Sequence, residues 1–268
     1  MKTMATDKKD SLKVKEKSSY VDAYFKKTAS ALPAPAWSPR EKIALVARIL
    51  ADNGHASGLA GQVTIRGEKP GTYWIHDYRY GLEEVCAHNV MLIDYDLNVI
   101  EGQGMANPGA RFHSWIYTNR PDVNAICHTH AMYASALSML QVPLIASHMD
   151  TVGLYEEVGF LKEWPGIPFG DDEGRIISDA LGNRRCVFLS HHGPLTACQS
   201  IEEACVLLVA MERAARLQLL ASAVGPIKDL KPAHAAEGKA MKQKPGSYNS
   251  WFAHYARMAV HKHPECLL

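Results

Sequence analysis

No stretch of this 268-residue chain approaches the ~20 consecutive apolar residues of a membrane-spanning helix. None of its six cysteines stands in a Cys-x-x-Cys pair. The first absence argues against a helical membrane span. The second argues against a zinc ribbon, a redox dithiol or a disulfide scaffold, so Cys86, Cys127, Cys186, Cys198, Cys205 and Cys266 are expected to be reduced and mostly buried. An excess of charge of one sign is lacking too. With 29 basic and 28 acidic residues and a formal charge of +1, no global field draws the chain to nucleic acid or to an anionic membrane, and a small molecule becomes the default partner. The lysine-rich start, Met1 to Lys17, has no apolar block of the signal-peptide kind, and the expected location is the cytoplasm. There is no internal repeat.

What is present is an ordinary globular composition, 47% apolar and 21% charged, enough for one large core. Residues 1–34 read as a lysine-rich extension, a mobile or late-ordering arm, with eight lysines in the first thirty positions. The fold proper is expected over 35–223, and 224–268 reads as a linker to about Pro245 followed by a docking helix with Trp251, Phe252, Tyr255, Met258 and Val260 at roughly helical spacing. Ser38-Pro39-Arg40-Glu41 is a capping box opening a helix to about Asn53, and Ser200-Ile201-Glu202-Glu203 opens a second one to about Ala221. Between them the pattern predicts a meander of short strands at Gln62–Arg66, Thr72–His76, Val90–Ile93 and Asn98–Ile100. Helices are expected over Arg111–Asn119, Ala131–Met139 and Asp172–Leu181, and strands over Ala125–His130 and Cys186–Leu189.

Two histidines in one strand-like run carry the first chemical signal. Side chains two apart in a strand share a face, so His128 and His130 present two imidazoles side by side, with Thr129 on the other side. Alone, His-x-His fits core or surface histidines equally well. His191-His192-Gly193, at the end of the apolar strand Val187-Phe188-Leu189, makes a third imidazole available, that of His192. Three protein ligands with open positions is the pattern of a catalytic ion, whereas a structural ion is closed by four.

Taken together, these segments resemble the class II aldolase and adducin head family. Gly54 through Arg66 resembles its Gly-rich loop and strand, Arg120-Pro121-Asp122 through His128-Thr129-His130 its first metal motif, and Leu189 to Gly193 its second. The likeness runs from about Ser38 to Leu220. It implies an α/β, three-layer α+β fold, a central, mainly antiparallel sheet flanked by helices. It also implies a homotetramer with sites at subunit interfaces, and one divalent ion per subunit (Zn2+ or Fe2+, with Mn2+ also compatible) on His128, His130 and His192.

The resemblance also exposes departures. The aldolases carry Pro-Ser-Ser-Glu four residues ahead of a family histidine, where this chain has Ala106-Asn107-Pro108-Gly109 ahead of His113. Gly109 therefore replaces the acid-base carboxylate. The family's Thr-Pro-Thr-Gly turn is replaced by His76-Asp77-Tyr78-Arg79, so hydroxyls that would hold a phosphate are missing. The family's loop Asn becomes Gln62, and a Tyr contributed across the subunit interface aligns with His148. His148 and His113 are the candidate proton-handling groups, with loop support as the alternative role. Gln62, Arg79, Asn107 and Gly109 are the candidate substrate contacts, Arg79 suiting a carboxylate unless it forms a surface ion pair.

Two functions follow as expectations. One is a metal-dependent lyase, of aldehyde-lyase or decarboxylase type, acting on a small hydroxy- or oxo-acid that is not a phosphorylated sugar. The other is a non-haem Fe(II) oxygenase that oxidatively decarboxylates an aromatic oxo- or hydroxy-acid, with Tyr73, Trp74, Tyr78 and Tyr80 offering aromatic surface unless they pack within the sheet. A metal-free binding module like the adducin head is disfavoured by the retained histidines.

Overall fold

The computed structural model describes residues 16–31 and 35–268. The chain divides into two units, Met1–Pro33 and Ala34–Leu268. Within the first, Lys17–Ala31 is a helix, α1, over part of the stretch expected as a mobile or late-ordering arm. Its alanines and lysines are good helix formers. Of that expectation, residues 1–15 and 32–34 lie outside the described residues.

In the second unit, α2 (Pro39–Leu50) starts at the predicted capping box. The Glu41 backbone N–H donates to Ser38 Oγ (3.3 Å) and the Ser38 N–H donates to the Glu41 carboxylate (2.7 Å), which satisfies two N-terminal donors reciprocally. Ile43 through Leu50 are all buried, and each large aliphatic side chain removed from water contributes about 1.5–3 kcal/mol. The regular helix stops three residues short of Asn53. Ala51–His55 forms a wider turn in which Gly54 takes φ +85, a left-handed conformation that costs glycine little.

The expected meander follows: β1 (Gln62–Arg66), β2 (Thr72–His76), β3 (Val90–Asp94) and β4 (Val99–Glu101). After them come α3 (Arg111–Asn119), β5 (Ala125–His128), α4 (Met132–Ser138), β6 (Val158–Leu161), α5 (Asp171–Leu181), β7 (Cys186–Leu189), β8 (Pro194–Cys198) and α6 (Ile201–Ser222). The eight strands form one sheet in the order β4-β3-β2-β1-β5-β8-β7-β6, antiparallel throughout except for the parallel pair β6–β7.

Strand alternation sorts the sheet into two cores. Val63, Cys127, Phe188 and Cys198 face a layer that includes α2 and α6. Tyr73, Ile75, Ile126, Val187 and Leu195 face α3 and α5, meeting Phe112, Ile116, Ile177 and Leu181. His128 follows Ile126 by two positions and so lies on the α3 side.

The start of α6 differs from a full capping box. Ser200 Oγ accepts the Glu203 N–H (3.2 Å), but the Glu203 carboxylate turns to Arg185 (2.5 Å), because a charged partner outweighs the backbone donor. The stretch 224–245, expected as a linker, carries α7 (Pro232–Lys242), tied down by Lys239 and Gln243 on the Glu157 carboxylate (2.8 and 3.0 Å). The last helix, α8 (Pro245–Lys262), buries Phe252, Ala256 and Ala259 in the core shared with α2 and α6. All six cysteines are free and buried. Among the described residues no helix is long and apolar enough to cross a membrane.

Candidate metal centre and active site

Strand register brings the site together at one end of the sheet. Gln62, the first residue of β1, sits opposite His128, the last of β5, and His128 sits opposite Leu195 near the start of β8. The strand ends at His128, so His130 is not positioned by strand alternation as expected. Its ring still arrives: the centroids of His128 and His130 are 5.1 Å apart, and His192 lies 4.6 and 4.7 Å from them. The ligand-capable nitrogens of all three fall within 4.8 Å of one another. The Nε2 atoms of His128 and His192 are 3.2 Å apart.

The backbone carrying these rings is braced from behind. Thr129 points away from the cluster as predicted, and its buried hydroxyl lies 2.7 Å from Nδ1 of His55. His55 directly follows Gly54, whose left-handed φ of +85 bends the chain there. Nothing in the sequence pattern had singled out His55. On the other side, His191 takes φ +55, an uncommon conformation for a residue with a Cβ. Gly193 lies so close to the Thr129 carbonyl that a Cβ there would stand 2.4 Å from the oxygen.

The three side chains fit a divalent cation. His128 Nδ1 is 3.0 Å from the Pro194 carbonyl; a carbonyl only accepts, so Nδ1 carries the proton and Nε2 turns a lone pair into the cluster. Burial, and then the neighbouring His192 and His130, hold the proton affinity of His128 well below the usual histidine range. Burial, with His130 adding to it, pushes His192 down to about 4, and burial lowers His130 as well. Neutral imidazoles with converging lone pairs are what a metal ion requires, and two nitrogens each about 2.1 Å from one ion stand about 3.0–3.4 Å apart.

The histidines open into a cleft of about 350 Å³. Gln62, Asn107 and Gly109, three of the four candidate substrate contacts, line it. Gln62 is buried and its Oε1 has no hydrogen-bond partner. The Asn107 Oδ1 accepts the Gly109 N–H (2.9 Å), which fixes the amide.

Other candidates stand elsewhere. His113 is fully buried behind the cleft, with Nδ1 2.9 Å from the Thr64 hydroxyl and its ring 4.5 Å from that of Phe112; burial, then His76, pushes it down to about 3. Arg79 is exposed and clasps Asp77 (2.5 Å), the ion-pair alternative, and does not line the cleft. His148 is exposed, 3.7 Å from the Asp150 carboxylate, and it too is absent from this chain's own cleft.

Of the four expected aromatic contacts, Tyr78 alone lines the cleft. Tyr73 is buried with its hydroxyl on the Ala110 carbonyl (3.1 Å), Trp74 lies under the Arg40 guanidinium, and Tyr80 is not among the lining side chains. The aromatic walls come instead from Phe112, Trp164 and Phe169, with Ile167 beside them. The signal for the last three was the apolar run Trp164-Pro165-Gly166-Ile167-Pro168-Phe169, which its prolines and glycine exclude from helix or strand.

Three-layer fold, histidine cluster and cleft together define a class. Residues 41–219 match the Class II Aldolase and Adducin N-terminal domain family, and the chain belongs to that family. Its fold is similar to that of an L-fuculose 1-phosphate aldolase from Glaciozyma antarctica PI12, with a TM-score of 0.80, 25% identity, and coverage of 90% of this chain and 99% of that one. In sequence it is 30% identical over 245 residues to a 3,4-dihydroxyphthalate decarboxylase of Arthrobacter keyseri, spanning 84% of this chain and 98% of that protein. It is also 28% identical over 182 residues to a 4-hydroxy-3-prenylphenylpyruvate oxygenase/4-hydroxy-3-prenylbenzoate synthase of Streptomyces roseochromogenus subsp. oscitans, covering 67% of this chain and 65% of that protein.

Proposed function

We propose that this chain is a divalent-metal-dependent lyase that breaks a carbon–carbon bond in a small hydroxy- or oxo-acid, releasing an aldehyde or carbon dioxide. The observation that carries the reading is the convergence of His128, His130 and His192 at the floor of an open cleft. The decarboxylase relative supports the reaction type. A sugar phosphate is disfavoured because no lysine or arginine is among the described residues that line the cleft, and phosphate recognition relies on such cations or on clustered backbone donors.

The three histidines would hold the ion, and when bound it supplies Lewis-acid stabilisation of the charge that builds on the substrate's carbonyl oxygen. Asn107, whose oxygen is occupied by Gly109, keeps its NH2 group to donate to the substrate. The unpartnered Gln62 amide oxygen accepts a hydroxyl. Where an aldehyde leaves, the hydroxyl that becomes its carbonyl first gives its proton to water; in either case cleavage leaves the bonding electron pair on the substrate carbon beside the carbonyl, and one proton must return to it. With glycine at position 109, that proton comes from water or from His148 of a neighbouring subunit, in a homotetramer whose interfaces complete each site. Zn2+, Fe2+ and Mn2+ are all compatible with imidazole ligands.

The test is release of aldehyde or carbon dioxide from candidate acids under strict anaerobiosis, abolished by a chelator and restored by the metal. Product formed with full rate in the chelator would rule the reading out.

A second reading, a non-haem Fe(II) oxygenase performing oxidative decarboxylation, is favoured by two observations. Among the described residues no carboxylate lines the cleft, which an oxidative route tolerates, and one relative is named as an oxygenase. Oxygen uptake by iron-loaded protein, with no product in its absence, separates the two.

A further inference from the structure

Trp164, Ile167 and Phe169 are 50%, 61% and 60% exposed, although each has a large apolar side chain and all three stand on one short segment between β6 and α5. Exposed apolar surface concentrated in this way marks a binding surface. Here it is continuous with the cleft, because all three side chains line the same cavity as His128, His130 and His192. Tyr78 and the buried Phe112 complete the walls, and the Phe112 ring stands edge-on to His128 with centroids 5.3 Å apart.

The segment is preshaped. Pro165 and Pro168 restrict the backbone, Gly166 takes φ +111, and the Phe169 N–H closes a tight turn on the Ile167 carbonyl (2.8 Å). Gly109 adds a second, independent observation. A Cβ at this position would meet Asn107 Oδ1 at 3.2 Å, Gln62 Nε2 at 3.6 Å and the Phe169 ring edge at 4.0 Å. The place from which a carboxylate would project into the cleft is thus flanked by two amides and an aromatic ring. The apolar walls of Trp164, Ile167, Phe169 and Phe112 match a flat apolar ring rather than a phosphate.

We propose that Trp164, Ile167 and Phe169, with Tyr78 and Phe112, seat an aromatic ring, so that the acid taken by the metal centre is an aryl acid. The inference rests on the metal-dependent reading above and adds the substrate class. Trp164 and Phe169 act as specificity determinants: they touch the ring and leave the carboxylate end to the histidines and Asn107.

The pair of probes is benzoylformate and pyruvate, which share a 2-oxo-acid group and differ in the ring. Calorimetric binding to the full-length, metal-loaded protein is expected to favour benzoylformate by about tenfold or more, the order of magnitude for burying one ring. Phe169→Ala and Trp164→Ala are each expected to weaken benzoylformate by about tenfold and leave pyruvate nearly unchanged. Equal binding of both acids, binding of neither, or variants that keep the full preference would overturn the proposal. A change of oligomeric state in both variants, seen by light scattering, would also overturn it by making the segment a subunit contact. Metal content measured on the same samples keeps the outcomes apart: a retained ion with no aryl preference defeats the ring seat alone, and loss of the ion from the wild-type protein defeats the metal reading.

Discussion

The imidazole of His128 donates its Nδ1 hydrogen to the carbonyl of Pro194 across 3.0 Å, so the first residue of β8 sets the tautomer of the last residue of β5. Nitrogen-edited NMR at neutral pH is therefore expected to show His128 in the Nδ1–H form. A signal from an Nε2–H form in the metal-free protein would contradict the assignment of Nε2 as a ligand atom.

Added metal should stabilise the chain, because an ion that binds the folded cluster and not the unfolded chain shifts the equilibrium by mass action. At one hundred times the dissociation constant the gain is about 2.7 kcal/mol, worth a few degrees in Tm for a chain of this size. Thermal denaturation with and without zinc or iron measures it, and His192→Ala is expected to erase the shift.

Gly193 is held against the Thr129 carbonyl, with room for no Cβ. Gly193→Ala should push the β7–β8 turn outward and carry His192 with it, weakening metal affinity by about ten- to hundredfold. Gly225, with open space around it, is the control: Gly225→Ala is expected to change stability by less than about 0.5 kcal/mol and metal affinity not at all. Chelator competition reports both.

Glu157 joins three elements, accepting from Arg185 (3.0 Å), Lys239 and Gln243. Burial opposes its ionisation, but the bonds from Arg185 and Lys239 outweigh that cost and hold its pKa below the ordinary value. A carboxylate with a depressed folded pKa contributes stability that is complete above its unfolded pKa and fades as pH falls through the folded one. Glu157→Gln should thus cost roughly 1–2 kcal/mol at pH 7, and the difference from wild type should shrink below about pH 4. Urea unfolding at both pH values is the check, and a difference that persists in acid would contradict the pairing.

Restoring a carboxylate at position 109 offers a fifth test. A Glu there must displace the Asn107 amide by a few tenths of an ångström and sets a negative charge beside the substrate's own. Gly109→Glu is expected to lower kcat/KM for an acid substrate by about tenfold or more, chiefly through KM. An increase would instead mean that the missing acid limits the native enzyme.

Much of this architecture could be read from residue patterns alone. Capping chemistry at Ser38, the alternation in β1 and the short apolar run of β7 report on local sterics and on burial, and all act within a few residues. The strands that escaped notice lacked those signals. β8 opens on a proline and is buried along its whole length, so it shows no alternation, and β6 is four residues long with a glycine at its second position. The same limit holds at the site. His128 and His130 are close in sequence and His192 follows a legible strand by three residues, so the cluster could be anticipated. The brace from His55 to Thr129 spans 74 residues and depends on how α2 ends, which no short window contains. Arg79 looked like a carboxylate receptor because its neighbour Asp77 could not be seen to turn back onto it. The aromatic wall at 164–169 looked like an irregular connection, since nothing local tells an exposed loop from the rim of a cleft.

The decisive measurement is elemental analysis of the protein purified anaerobically, alongside His128→Ala and His192→Ala, with circular dichroism as the control on folding. About one divalent ion per chain is expected in the wild-type protein, and loss of both ion and turnover in each variant with the spectrum unchanged. A variant that retains the ion and wild-type turnover would contradict the assignment of these histidines, and with it the chemistry proposed for the cleft.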